Sequence, residues 1–231
     1  MRLVKTALLA AFLVQPFAAL AETAPPRITV TGEGRVDVAP DMATVSLGVT
    51  TEAPTAAAAM AANSDELARV LERLRGAGIA ERDLQTSSLS LNPNWHHGQG
   101  ADTPRIIGYV ASNQLTVRVR DLSGLGTVLD AAVKDGANTL NGVSFGLTDP
   151  APSLAEARRR AVADARARAE LLVDAAGVAL GPIDAITEGG GMTGPRPMYR
   201  DAPMVMESSV PVAEGELSVS ANVTVVWQIS Q

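Results

Sequence analysis

The chain reads as an α+β protein, a mainly antiparallel sheet with helices packed on one face. Three observations carry that reading. Several segments alternate apolar and polar residues with a period of two, and three longer stretches carry apolar residues three and four apart, which are the signatures of half-buried strands and of amphipathic helices. The middle of the chain orders these as strand–helix–strand–strand–helix–strand, the order of a split βαβ, ferredoxin-like unit (βαββαβ), with an extra helix and strands beside it.

Ile28 to Val38 alternates, with Gly32 and Gly34 interrupting as at a bulge or bend. Pro40-Asp41 marks a turn. Ala43, Val45, Leu47 and Val49 then share one face of a strand over Met42–Thr50, and the two segments are expected to pair as a hairpin. Pro54 and Thr55 open a helix with the stripe Ala59, Ala62, Leu67, Val70, Leu71 and Leu74, stopped at Gly76-Ala-Gly78. Leu84, Leu89 and Leu91 form a strand ending at Asn92-Pro93, and a polar loop with His96 and His97 follows to Arg105. Ile106–Arg120 is a long strand. Asp121 or Ser123 caps a helix with Leu125, Val128, Leu129 and Val133, closed by Gly136.

Val143, Phe145 and Leu147 mark a further strand. Pro152-Ser153 begins a long helix ending at Gly177, with the small-residue stripe Leu154, Ala157, Ala161, Ala165, Leu172 and Ala176. Its other face interleaves Arg158, Arg159, Arg160, Arg166 and Arg168 with Glu156, Asp164, Glu170 and Asp174, a pattern that favours a self-paired, solvated surface over an anion site. A short strand near Ile183–Ile186 precedes a Gly-, Pro- and Met-rich segment, 189–211, expected to be a mobile loop or interaction arm. Leu217, Val219, Ala221, Val223, Val225 and Trp227 close the chain as an alternating strand.

The first 21 residues read as a cleaved signal peptide. Arg2 and Lys5 precede the apolar run Ala7–Val14, and Ala19-Leu20-Ala21 offers small residues at a cleavage site before Glu22. Gln15 and Pro16 interrupt the run well short of the roughly 20 residues that span a bilayer. The expected mature domain is 22–231, in the periplasm, with no membrane span. Losing Arg2 and Lys5 takes the formal charge from −6 to −8, which disfavours nucleic acid as a partner. The chain has no cysteine, so disulfide and thiolate chemistry are absent.

Two motif strings fail in their context. Gly142-Val-Ser144-Phe-Gly146 matches a hydrolase G-x-S-x-G, but it lies inside a predicted strand with no helix directly after the serine. Gly189-Gly-Gly191-Met-Thr-Gly194 matches a dinucleotide fingerprint but is followed by Pro195 and Pro197 in place of a helix. His96-His97 with Asp102 makes a poor metal set, since neighbouring side chains seldom converge on one ion. No catalytic or cofactor-binding residue is assigned, and no cofactor. Met192, Met198, Met204 and Met206 leave three readings: thioether ligands for Cu(I), oxidant-sensitive sites, or an adaptable contact surface, the last being favoured.

Gly32-Glu-Gly34, Pro40-Asp41-Met-Ala43, the run Gly108 to Leu122, Gly136-Ala-Asn138, Asn141 to Phe145 and Ala163-Asp-Ala-Arg166 occur together in one order. In this the chain resembles the SIMPL-domain family, whose bacterial members include YggE-like oxidative-stress-defence proteins and 26-kDa periplasmic antigens. The resemblance implies no enzymatic activity. It implies a homo-oligomer and a part in envelope and oxidative stress defence. The alternative function is a ligand- or Cu(I)-binding periplasmic module using Met192–Met206.

Overall fold

The computed structural model describes residues 25–96, 103–189, 196–198 and 212–230. The strands are β1 (Arg27–Val38), β2 (Met42–Ala53), β3 (Leu84–His96), β4 (Arg105–Val119), β5 (Thr139–Gly146), β6 (Ala179–Glu188), β7 (Arg196–Met198) and β8 (Glu216–Ser230). The helices are α1 (Ala56–Gly76), α2 (Leu125–Lys134) and α3 (Ala151–Ala176). The protein is α+β, with its strands in two antiparallel sheets.

One sheet has the order β3-β4-β2-β5. It is the βαββαβ unit read from the sequence, with the first and third strands of that unit, β2 and β4, at its centre. Alternation sends Ala43, Val45, Leu47 and Val49 of β2 and Leu115, Val117 and Val119 of β4 to one face, where α1 and α2 cover them with Leu67, Val70, Leu74, Leu125, Val128 and Leu129. Thr55 caps α1, its hydroxyl accepting from the Ala58 amide at 3.2 Å. Asn63 lies on the buried stripe of α1. Its amide donates to the Val49 and Ala111 carbonyls at 2.9 and 3.1 Å, which is how a polar side chain is accommodated there. Asp121 serves the short 3-10 turn at Leu122–Gly124, accepting from the Ser123 amide, while α2 itself starts at Leu125, with Gly124 before it offering no side-chain cap.

The other sheet has β8 between β1 and β6, with β7 on the far end of β8. The expected β1–β2 hairpin does not form: β1 pairs with β8 over its whole length, and β2 pairs with β4 and β5. A local turn and two alternating strands cannot distinguish a hairpin from a chain that crosses between sheets. The segment expected as a loop or arm contributes the short strand β7. β3 also runs through Pro93 to His96, which is possible because it is an edge strand.

Helix α3 packs along β1 and β8. Gly32 and Gly34 are no bulge, since the β1–β8 register is unbroken around them. They are there for closeness. A Cβ on Gly34 would sit 1.9 Å from the Ala157 carbonyl oxygen, and one on Gly32 would sit 2.2 Å from that of Ala161. The buried stripe of α3 is Ala157, Ala161, Ala165, Ala169 and Val173, a strict four-residue repeat, whereas Leu172 and Ala176 of the expected stripe are exposed. Of these, Ala161, Ala165 and Ala169 form a second core with Val30, Val223, Val225 and Trp227. Small residues on both partners bring the helix backbone almost onto the strand.

Candidate functional site

The motifs that carry the family resemblance are structural clamps. Asp41 donates its amide to the Gly146 carbonyl at 3.1 Å and accepts from the Thr148 amide at 2.6 Å, fastening the exit of β5 to the start of β2. Asn138 exchanges two hydrogen bonds with the Thr50 backbone, at 2.8 and 2.7 Å, and its own amide donates to Gly48 O. Its carboxamide thus imitates a paired strand residue where β5 enters the sheet. Ser144 lies within β5 and pairs with Thr44, its hydroxyl directed at the Thr44 carbonyl at 3.4 Å, so the sharp turn that would expose a nucleophile is not present at it. His96 ends β3, exposed and opposite Arg105. His97, Asp102, Met192, Met204, Met206 and the Met198 side chain lie outside the described residues, as do Gly191 and Gly194. Among the described residues no group of His, Asp or Glu is arranged to hold a metal ion.

What the structure does bring together is a set of strand edges, and they differ. An edge strand presents a row of unpaired amides and carbonyls that can recruit another chain. On β1 three groups of that row are taken up from within. Arg168 donates to the Thr31 carbonyl at 3.2 Å, Asp164 accepts from the Glu33 amide at 2.9 Å, and Arg160 donates to the Arg35 carbonyl at 2.7 Å. The geometry explains the fit. Four helical residues rise about 6.0 Å and two strand residues about 6.8 Å, so side chains four apart on α3 meet backbone groups two apart on an antiparallel β1. The arginine face of α3 is self-paired as read from the sequence, through Glu156 with Arg159 and Arg160 and through Glu170 with Arg166. Part of it also serves as a substitute strand. That role depends on which strand lies beside the helix, so no one-dimensional pattern announces it.

The β3 edge is the opposite case. Its sequence, LQTSSLSLNPNWH, contains no Lys, Arg, Asp or Glu to discourage pairing. From Ser88 to Asn94 its register with β4 is unbroken. Leu89 is 56% exposed and Trp95 47%, and Ile106 and Ile107 of β4 are exposed beside the tip. The β3–β4 hairpin also runs past β2, whose last pair is Ala53 with Tyr109. The β6 edge is intermediate: Ile183 and Ile186 are exposed, but Asp184 and Glu188 carry charge and the pairing with β8 is irregular in its first half.

The clamp residues Asp41, Asn138 and Ser144 all fall inside the span that one family model matches. The chain belongs to the SIMPL family, described as proteins of unknown function (DUF541), which it matches over residues 28–227. It is similar to a 26 kDa periplasmic immunogenic protein of Brucella melitensis, at 40% identity over 215 residues covering 90% of this chain and 86% of the relative. It is also similar to the uncharacterized protein YggE of Escherichia coli, at 29% identity over 191 residues covering 83% of this chain and 76% of that one.

Proposed function

We propose that the chain is exported to the periplasm, loses residues 1–21, and acts there as a non-enzymatic, self-assembling protein that contributes to envelope and oxidative stress defence. The bare β3 edge is the observation that carries self-assembly. A long, uncharged edge with exposed Leu89 and Leu91 is a template for a second copy, while α3 closes β1 against the same use. The positive start, apolar run and Ala19-Leu-Ala21 support export, as does the similarity to a Brucella protein named as periplasmic; among the described residues no helix is long and apolar enough to cross a membrane. The stress role rests on family resemblance.

The test is the mass of the mature protein by light scattering, with Leu89 and Leu91 both changed to Lys. Wild type should be a homo-oligomer, and the charged edge should shift it to the monomer with unchanged circular dichroism. A wild type that stays monomeric at high concentration, or a variant of undiminished mass, overturns the reading. In a strain lacking the protein, wild type should restore peroxide survival and the edge variant should not.

A further inference from the structure

Among the described residues, the edge strands other than β3 offer no long, regular row to a second chain. On β1, backbone groups of Thr31, Glu33 and Arg35 are engaged by α3. β6 carries Asp184 and Glu188 and pairs irregularly with β8. β7 has three residues. β5 is short, and its register with β2 breaks between Ser46 and Leu47. β3 alone keeps an unbroken register with its neighbour over a long uncharged span, from Ser88 to Asn94. The strand that best matches this edge is the same edge of a second copy.

Alternation decides what such a pair buries. Leu89, Leu91 and Pro93 stand opposite Asn113, Ala111 and Tyr109 of β4, so they lie on the face where α1 packs, and Trp95 continues the row. α1 does not cover them. Its Asn63 reaches carbonyls of β2 and β4, and Leu89 and Leu91 stay 56% and 39% exposed. The other face of this stretch is Ser88, Ser90, Asn92 and Asn94, polar and uncharged. Residues directly opposite in an antiparallel pair share a face, so pairing β3 with a second β3 sets apolar stripe against apolar stripe and polar row against polar row. We infer that two copies join by antiparallel pairing of their β3 strands about a two-fold axis at Leu91. The axis follows from the regular span, whose centre is Leu91: Leu91 meets the second copy's Leu91, Leu89 meets its Pro93, and Ser90 meets its Asn92. Two four-stranded sheets become one, and the contact closes on itself, giving a dimer in place of a filament. Pro93 costs this ladder at most one N–H bond in each copy. The strand and its apolar stripe together are of the order of the roughly 800 Å² per partner that a stable interface buries. This inference rests on the self-assembly proposed above and adds to it the partner strand, the symmetry and the register.

The experiment is disulfide trapping. The chain has no cysteine, so one introduced thiol reports one contact. At the axis the two Cα atoms lie about 4.5–5.5 Å apart, within the span a disulfide bridges. Leu91→Cys in the mature protein should therefore link most chains into dimers under mild oxidant, read on a non-reducing gel. Leu89→Cys should stay largely unlinked on its own, because its symmetry mate lies four residues along the pair, about 13 Å away. An equimolar mixture of Leu89→Cys and Pro93→Cys should link one variant to the other. A wild type that light scattering finds monomeric removes the self-assembly reading and this inference with it. A wild type that assembles while Leu91→Cys assembles without linking, or links no faster than Leu89→Cys, overturns the two-fold pairing alone. If Leu91→Cys does not assemble, the mixture decides, and the absence of a link between Leu89→Cys and Pro93→Cys overturns the register.

Discussion

Replacing Gly34 by Ala isolates the contact on which the second sheet depends. In open space that change stabilises a protein by roughly 0.4–1 kcal/mol, because the unfolded chain loses freedom. Here the new Cβ would lie 1.9 Å from the Ala157 carbonyl oxygen and 2.4 Å from the Ala161 amide nitrogen, both backbone atoms that no rotamer change can move. Ordinary contact begins near 3.4 Å, so α3 would have to retreat by about 1.5 Å along that stretch. A gap of that size forfeits much of the dispersion that Ala157, Ala161 and Ala165 gain against β1. Overpacking costs typically 1–3 kcal/mol, and with backbone as the obstacle the upper end, about 3 kcal/mol, applies. At an m-value of about 2 kcal/mol/M the urea midpoint should fall by about 1.5 M with unchanged slope. Gly76→Ala is the control, since nothing lies within 4 Å of its added Cβ, and its midpoint should hold or rise. If Gly34→Ala lowers the midpoint by less than about 0.3 M, the close approach of helix and strand is not what holds this sheet together.

Asn138→Ala removes both hydrogen bonds to the Thr50 backbone and should cost about 1–2 kcal/mol, read as a lower melting temperature. Asp83 should show in acid. Hydrogen bonding to Arg120 holds its carboxyl below the usual range, so its contribution is fully present above the unfolded value near pH 3.9 and is lost as pH falls through the folded value; Asp83→Asn should lower stability at neutral pH and flatten its decline below about pH 4. Arg160→Ala with Arg168→Ala should unplug β1 and raise aggregation at unchanged secondary structure, and equal light scattering by variant and parent would show the edge was not being protected. Replacing Met192, Met198, Met204 and Met206 with Leu should leave assembly intact and make it resistant to peroxide; stoichiometric Cu(I) uptake by wild type, lost in that variant, would favour the metal-binding alternative instead.

The βαββαβ unit was legible residue by residue because its strands are solvated on one face. Ala43, Val45, Leu47 and Val49 alternate with Thr44, Ser46 and Thr50, and the α1 stripe holds Leu67, Val70 and Leu74 on one side. Even there Asn63 was missed, since a buried amide is invisible to a hydrophobic pattern until the Val49 and Ala111 carbonyls are seen to receive it. On α3 the alanines signalled close packing, but the four-residue repeat that ends at Val173 follows the line of β1 and not the mean helical face, so Leu172 and Ala176 were wrongly placed inside.

The plugging of β1 was not legible at all. Arg160, Asp164 and Arg168 look like ordinary surface charges of a helix in their own segment, and their service to the Thr31, Glu33 and Arg35 backbone becomes visible only when α3 is seen beside β1.

The sequence by itself determined the fold class, the order of elements and the family, because periodicity, capping and turn chemistry are local properties written over a few residues. Only the tertiary structure decided that β1 pairs with β8, that Gly32 and Gly34 exist to admit a helix, and that α3 seals one edge while β3 stays bare. Those outcomes rest on contacts between residues at opposite ends of the chain, such as Arg27 with Gln228 and Thr31 with Thr224, where the free energy comes from the fit of two surfaces that neither segment encodes alone.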